Sequence, residues 1–267
     1  MEIIEQIVRV PEQGTAHETP ILLLHGAWRD ASCFVDLAEA LAALGYRSTA
    51  ISLPGHGKST MHKGEIGFYS IRDYVRILLA ELKRSTPRPL VVGHGLGGLI
   101  SARAAEELEL PGVVLLSGIP PAGMRSALLR MMAKSPIWGL KQLFAWFRDP
   151  WSEKPELARR LFRGAGGGDV GTLLPESKTV FQELFFRTEV RAESLRARAL
   201  VCSGSEDAIF THAEQSELAT SLGAEHLTFP GAPHDVMAKD SASEVAAAIH
   251  GWFSRDEASR RDPIAAT

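Results

Sequence analysis

A chain of 267 residues, 45% of them hydrophobic, can form one large α/β domain with a sizeable core. A formal net charge of −3 leaves no footprint for nucleic acid, no apolar run reaches the ~18 residues of a membrane span, and the start Met1-Glu2-Ile3-Ile4-Glu5 is too broken for a secretory signal. Two cysteines, Cys33 and Cys202, make neither a disulfide framework nor a zinc site, so a cytoplasmic protein without metal or cofactor is expected, with no membrane or nucleic-acid partner and an open oligomeric state.

In chain order, Glu2–Val10 is predicted to add an edge strand. Apolar runs follow at Ile21–His25, Ser48–Ser52, Leu90–Gly93, Val113–Gly118, Ala199–Gly204 and His226–Pro230. They are short, nearly continuous in apolar residues and bounded by Gly or Pro, as strands buried on both faces should be. Cys202 inside one of them reads as an inert buried thiol. Amphipathic stretches at Cys33–Leu44, Ile71–Lys83, Leu96–Leu108, Ala213–Leu222 and Ser243–Phe253 alternate with the strands. That alternation predicts a mostly parallel sheet with helices on both faces. The charged tail, from about residue 256 to 267, is expected to be disordered.

Between Pro120 and Val190 the alternation stops. No clear strand occurs there, but Met124, Met131, Met132, Trp138, Phe144, Trp146, Phe147, Trp151, Phe162, Phe181, Phe185 and Phe186 do. Leu140, Leu143, Phe144 and Phe147 fall at helical spacing, and the run Gly164-Ala165-Gly166-Gly167-Gly168 divides the block. A helical cap (120–190) over a core of 1–119 and 191–255 is the expectation. Its apolar faces either line a substrate pocket or bury the cap against the body. Arg125, Arg130, Lys134 and Lys141, interleaved with apolar residues, also allow contact with a membrane surface.

The segment Pro89-Leu90-Val91-Val92-Gly93-His94-Gly95-Leu96-Gly97-Gly98-Leu99 reads as strand, glycine corner and helix start. That is the layout of the G-x-S-x-G nucleophile elbow, a strained strand-to-helix turn with serine at its centre. Here the outer glycines are present and Gly95 stands in the serine's place.

Together with Leu24-His25-Gly26-Ala27-Trp28 and Pro230-Gly231-Ala232-Pro233-His234-Asp235, the elbow resembles the α/β-hydrolase superfamily over about Ile21–Phe253. Within it, the chain looks like small capped bacterial esterases and the plant esterase and hydroxynitrile-lyase branch. The resemblance implies an α/β-hydrolase fold and an oxyanion hole made by the backbone N–H groups of Ala27 and Leu96. It also implies His234 as base and Asp207 as its orienting acid, in the family order nucleophile…acid…base. Glu206 is the fallback acid and Asp235 a solvated neighbour. His94 and His56 are expected to be structural or pocket-lining, and Cys33 to open a helix. Ser117, Ser203 and Ser205 lie at other strand ends and cannot replace the missing hydroxyl. Trp28, His94, Met131, Trp138 and Phe144 are the expected substrate contacts, for a small apolar or acyl substrate.

Glycine takes the elbow's backbone angle at little cost, so the fold should survive while covalent catalysis should not. Three readings follow. The chain is a serine-esterase or thioesterase type whose nucleophile is replaced, leaving an inactive or substrate-trapping form. Or it keeps His234–Asp207 for acid/base work without a covalent intermediate, as a lyase, cyclase, isomerase or water-mediated hydrolase. Or it is a non-catalytic ligand-binding protein.

Overall fold

The computed structural model describes residues 2–134, 136, 155–164, 170–171, 173–185, 188 and 190–261. Seven strands form one sheet in the order β1-β3-β2-β4-β5-β6-β7. They are β1 (Gln6–Arg9), β2 (Ile21–Leu24), β3 (Ser48–Ile51), β4 (Leu90–His94), β5 (Val113–Leu116), β6 (Ala199–Gly204) and β7 (Glu225–Phe229). Only β1 runs antiparallel, against β3. The others pair in parallel, with Leu24 beside Gly93, Gly93 beside Leu115 and Leu116 beside Cys202.

Every residue of β2, β4, β5 and β6 is buried, which is why these strands read as unbroken apolar runs rather than alternating ones. Successive side chains still go to opposite faces. Leu22, Leu24, Val91, Leu115 and Val201 pack beneath α2 (Ile71–Arg84) and α3 (Leu96–Glu107), while Ile21, Leu23, Val92, Leu116 and Cys202 pack against α1 (Val35–Ala43) and the C-terminal helix. Strand order reverses between β2 and β4, because the chain first builds outward to β3 and then returns. In open parallel sheets, the crevice beyond the strands' carboxyl ends at such a reversal is where ligands bind.

Three described helices fall between β5 and β6: α4 (Arg125–Lys134), α5 (Pro155–Arg163) and α6 (Lys178–Phe185). Their residues Ala127, Leu128, Ala158, Leu161, Phe162, Val180 and Leu184 join the core on the α2–α3 side. Helix α7 (His212–Leu222) follows β6, starting at a Thr211–Glu214 capping box and ending on left-handed Gly223. The last helix, α8 (Lys239–Arg261), corrects the sequence expectation at both ends. It starts four residues earlier and continues through Arg261 where a disordered tail was expected from 256. Glu257, Ala258, Arg260 and Arg261 are good helix formers, so charge there does not mean loss of helix.

Candidate active site

The turn after β4 holds Gly95 at φ 50° and ψ −113°. Its N–H donates to the Leu116 carbonyl at 2.9 Å, and its own carbonyl accepts from Gly98 at 3.1 Å and Leu99 at 3.3 Å, which starts α3. The flanking glycines are sterically required. A Cβ on Gly97 would run into the carbonyl oxygens of Leu24 and His25, and one on Gly93 into the carbonyl of Gly97. Position 95 differs: the nearest atoms to a Cβ there are Gly26 Cα at 3.9 Å and the Ser117 carbonyl oxygen at 4.0 Å. A serine side chain has room.

Beside it lies the turn after β2. Gly26 is held to glycine by His94, whose Nδ1 would be 2.8 Å from a Cβ at that position. His25 is fully buried; its Nε2 accepts from the Leu53 N–H at 2.9 Å, so its Nδ1 carries the proton and donates to the Gly26 carbonyl at 2.8 Å. Burial, reinforced by the neighbouring His56, lowers the His25 pKa to about 3. The loop next passes through Trp28 in the left-handed region at φ 62°. Leu174 N–H bonds the Trp28 carbonyl at 2.9 Å, and the indole is buried against Phe162 and Phe181, which holds this conformation. The Ala27 amide donates to no carbonyl in the loops and turns among the described residues. Leu96, as the first residue of α3, has no intrahelical carbonyl to donate to, and its amide sits at the positive end of the helix dipole.

The two residues farthest along the chain also meet here. His234 Nδ1 and Asp207 Oδ2 are 2.9 Å apart, and the other Asp207 oxygen accepts from the Ile209 and Phe210 amides at 2.8 and 2.9 Å. The carboxylate so fixed accepts a hydrogen bond from Nδ1–H and orients the imidazole. The His234 carbonyl accepts from Ser117 Oγ at 2.8 Å and from His94 Nε2 at 3.3 Å. Ser117 and His94 both border Gly95, so these bonds bring the His234 residue to the elbow. The imidazole is flanked by Phe162 at 5.6 Å, Phe210 at 5.5 Å and His94 at 4.8 Å. Burial first, then His234 and Arg29, hold the His94 pKa well below the usual histidine range. His94 is thus neutral, with Nε2 as donor.

Several sequence expectations change on contact with this geometry. Asp235 is not a solvated neighbour: it is fully buried, paired with the Arg29 guanidinium, and 3.4 Å from Arg163 Nε. Glu206, the fallback acid, is exposed, and Asp207 alone reaches His234. His56 is fully buried and faces Glu176. Its Nε2 lies 3.5 Å from Glu176 Oε2 in a buried pair, and Glu176 also accepts from Tyr74 at 3.0 Å. Burial would lower the His56 pKa, but Glu176 outweighs it and the net shift is upward. Ser203 bonds His226 at 2.8 Å and Ser205 bonds Gly231 at 2.8 Å, away from the elbow. Of the expected substrate contacts, Trp28 and His94 are buried beside the site, Trp138 and Phe144 lie outside the described residues, and the Met131 side chain does too.

Sequence reading missed Arg29, Phe210 and the role of Ser117. A charged residue directly after an apolar turn was the available signal for Arg29, but nothing local names its partner 206 positions away. Among the described residues no three His, Cys, Asp or Glu side chains gather as a metal site, and no helix is long and apolar enough to cross a membrane.

Residues 21–248 match the alpha/beta hydrolase family. The rice (Oryza sativa) protein named "Probable esterase PIR7A" is 33% identical over 115 residues, 42% of each chain. The pyrethroid hydrolase of Sphingobium wenxiniae is 32% identical over 38% of this chain and 36% of its own length. The chain thus matches less than half the length of these relatives. Among solved structures, the monoacylglycerol lipase of Paleococcus ferrophilus superposes with a TM-score of 0.65 at 23% identity, over 94% of this chain and 98% of that one. At that identity the likeness speaks to the fold.

Proposed function

Because this chain belongs to the α/β-hydrolase family, we propose that its site is of serine-esterase or thioesterase type, built for an apolar acyl substrate, with Gly95 in place of the nucleophile. As it stands, such a site binds the ester and cannot form an acyl-enzyme, because there is no hydroxyl for His234 to deprotonate. The observation that carries this reading is the open space at position 95, with no atom within 3.9 Å of a Cβ, beside an intact His234–Asp207 pair. In this reading the Ala27 and Leu96 amides receive the developing oxyanion. The aromatic rings around His234 exclude water and favour an apolar acyl group, and the block 120–190 serves as the cap that shapes the pocket. The esterase and hydrolase names of the relatives support it.

The same open space also favours a second reading. A water molecule at position 95 would give its proton to His234 Nε2 and attack the carbonyl directly. Collapse of the tetrahedral species then returns that proton to the leaving alkoxide, with no covalent intermediate.

One substitution separates the two. Under the first, Gly95→Ser gains turnover of short or medium acyl nitrophenyl esters and becomes labelled by a phosphonate. The gain should be several orders of magnitude, since losing a triad nucleophile costs about 10⁶ in the subtilisin case. Under the second, the unsubstituted chain already turns over ester without phosphonate labelling, and Gly95→Ser lowers that activity. A folded Gly95→Ser variant that is neither labelled nor active removes the first reading.

A further inference from the structure

Arg29 and Asp235 are 4% and 0% exposed, and they meet across most of the chain's length. Burying such a pair gains little stability, because desolvating both charges offsets their attraction, and well-packed apolar residues often do as well. What a buried pair does supply is a fixed geometry. Arg29 stands two residues beyond Ala27, and Asp235 is bonded directly to His234. The pair therefore joins the loop carrying one oxyanion donor to the loop carrying the base.

Its other contacts reinforce that joint. The second Arg29 nitrogen donates to the Val170 carbonyl. The guanidinium lies 5.4 Å from the Phe162 ring centroid, and the Asp235 N–H donates to the Phe162 carbonyl at 2.9 Å. Arg163, next along α5, puts its Nε 3.4 Å from the same carboxylate. The Arg29 loop and α5 thus converge on one carboxylate immediately behind the base.

We infer that Arg29 and Asp235 are positioning residues, which set the spacing between His234 and the Ala27 amide without touching substrate. The inference rests on the roles proposed for Ala27 and His234. Misplacement of a catalytic group by about 1 Å costs up to about 10² in rate, so this joint has a measurable effect only if it governs geometry.

The test uses the double variant Arg29→Met with Asp235→Leu, made both in the unsubstituted chain and on Gly95→Ser. Asp235→Leu alone strands the buried Arg29 guanidinium and should lower the melting temperature sharply, Arg29→Met less so because Arg163 still faces the carboxylate; the double change should restore most of the loss, since Arg163 is partly exposed. If the pair positions the base, the restored protein still has kcat reduced about 10- to 100-fold with KM nearly unchanged. Its low-field His234 Nδ1–H proton resonance also broadens or vanishes. Recovery of both turnover and that resonance along with stability would show a merely structural pair and overturn the inference. If Gly95→Ser itself is inactive, the esterase reading fails on its own, and the resonance in the unsubstituted chain decides this one. Should the double variant not fold, Arg29→Lys keeps the charge but loses the two-pronged grip on Asp235 and Val170. A drop in kcat of about fivefold or more at unchanged stability supports positioning, and an unchanged kcat refutes it.

Discussion

A methyl group at position 97 would meet two backbone carbonyls, whereas one at position 95 meets nothing within 3.9 Å. Glycine is therefore required at 97 by space and favoured at 95 only by its positive φ. The two alanine variants should separate accordingly. Gly95→Ala should fold and lose roughly 1–2 kcal/mol, the cost of a non-glycine residue at a strained angle. Gly97→Ala should lose about 4 kcal/mol or more, because backbone must move, and should yield little soluble protein. Urea unfolding midpoints of the two purified variants provide the comparison. An elbow that tolerated both equally would mean that α3 does not pack so closely on β2.

At the scale of elements, α7 shows how local signals position the site. Thr211 accepts from the Glu214 amide at 3.3 Å, and Glu214 returns a bond to the Thr211 amide at 2.8 Å. Arg130 of α4 grips the same carboxylate at 2.7 and 3.0 Å and also bonds the Ile209 carbonyl. This junction directly follows the turn whose amides orient Asp207. Thr211→Ala should cost about 1 kcal/mol in chemical denaturation, the usual loss of an N-cap; no loss would mean that the Arg130 contact alone holds the helix end.

The strands and helices of the sheet were legible in the sequence because buried parallel strands and amphipathic helices have distinct periods. His234 and Asp207 were legible because each follows a strand at a position the resemblance specifies, and the structure brings these two side chains together. Asp235 was not. Its type and its Pro/Gly loop suggest exposure, and Arg29, contributed by a loop near the other end of the chain, together with Arg163 makes its burial tolerable. The end of α8 was misjudged for a related reason: charge suggested a frayed tail, while helix propensity governed. Long-range pairing leaves no local mark.

For the molecule as a whole, buried histidines set the response to acid. An unfolded chain protonates histidine near pH 6.5, whereas folded His25 does so only near 3, chiefly because it is buried. Between those values the unfolded state holds more protons, so stability falls as pH falls, by about 1.4 kcal/mol per pH unit for each such group. His94 adds to this slope through its own burial, and His226 does so more weakly through burial and its neighbour His212. His56 has the opposite sign. Its folded pKa is raised, so its contribution is complete below 6.5 and is lost as pH rises through the folded value. Urea midpoints should therefore drop steeply on going below pH 6.5, and His25→Gln should reduce that slope by about one proton. Glu176→Gln should remove the loss on the alkaline side. A pH-independent midpoint from 4.5 to 6.5 would mean that His25 and His94 are hydrated in solution.

The pairing of β5 with β6 has a consequence during synthesis. Val113–Leu116 is complete long before the ribosome reaches its partner, Ala199–Gly204. Until then the nascent chain carries β2, β3 and β4 on one side of β5, while the other edge remains open and its flanking residues are intensely apolar. Such an edge is a template for pairing with a neighbouring polypeptide, and at ~5–20 residues per second it stays exposed for several seconds. Residues 120–190 thus delay closure of the sheet. Ribosome-bound intermediates stalled before Ala199 are the species in which chaperone demand and aggregation should concentrate.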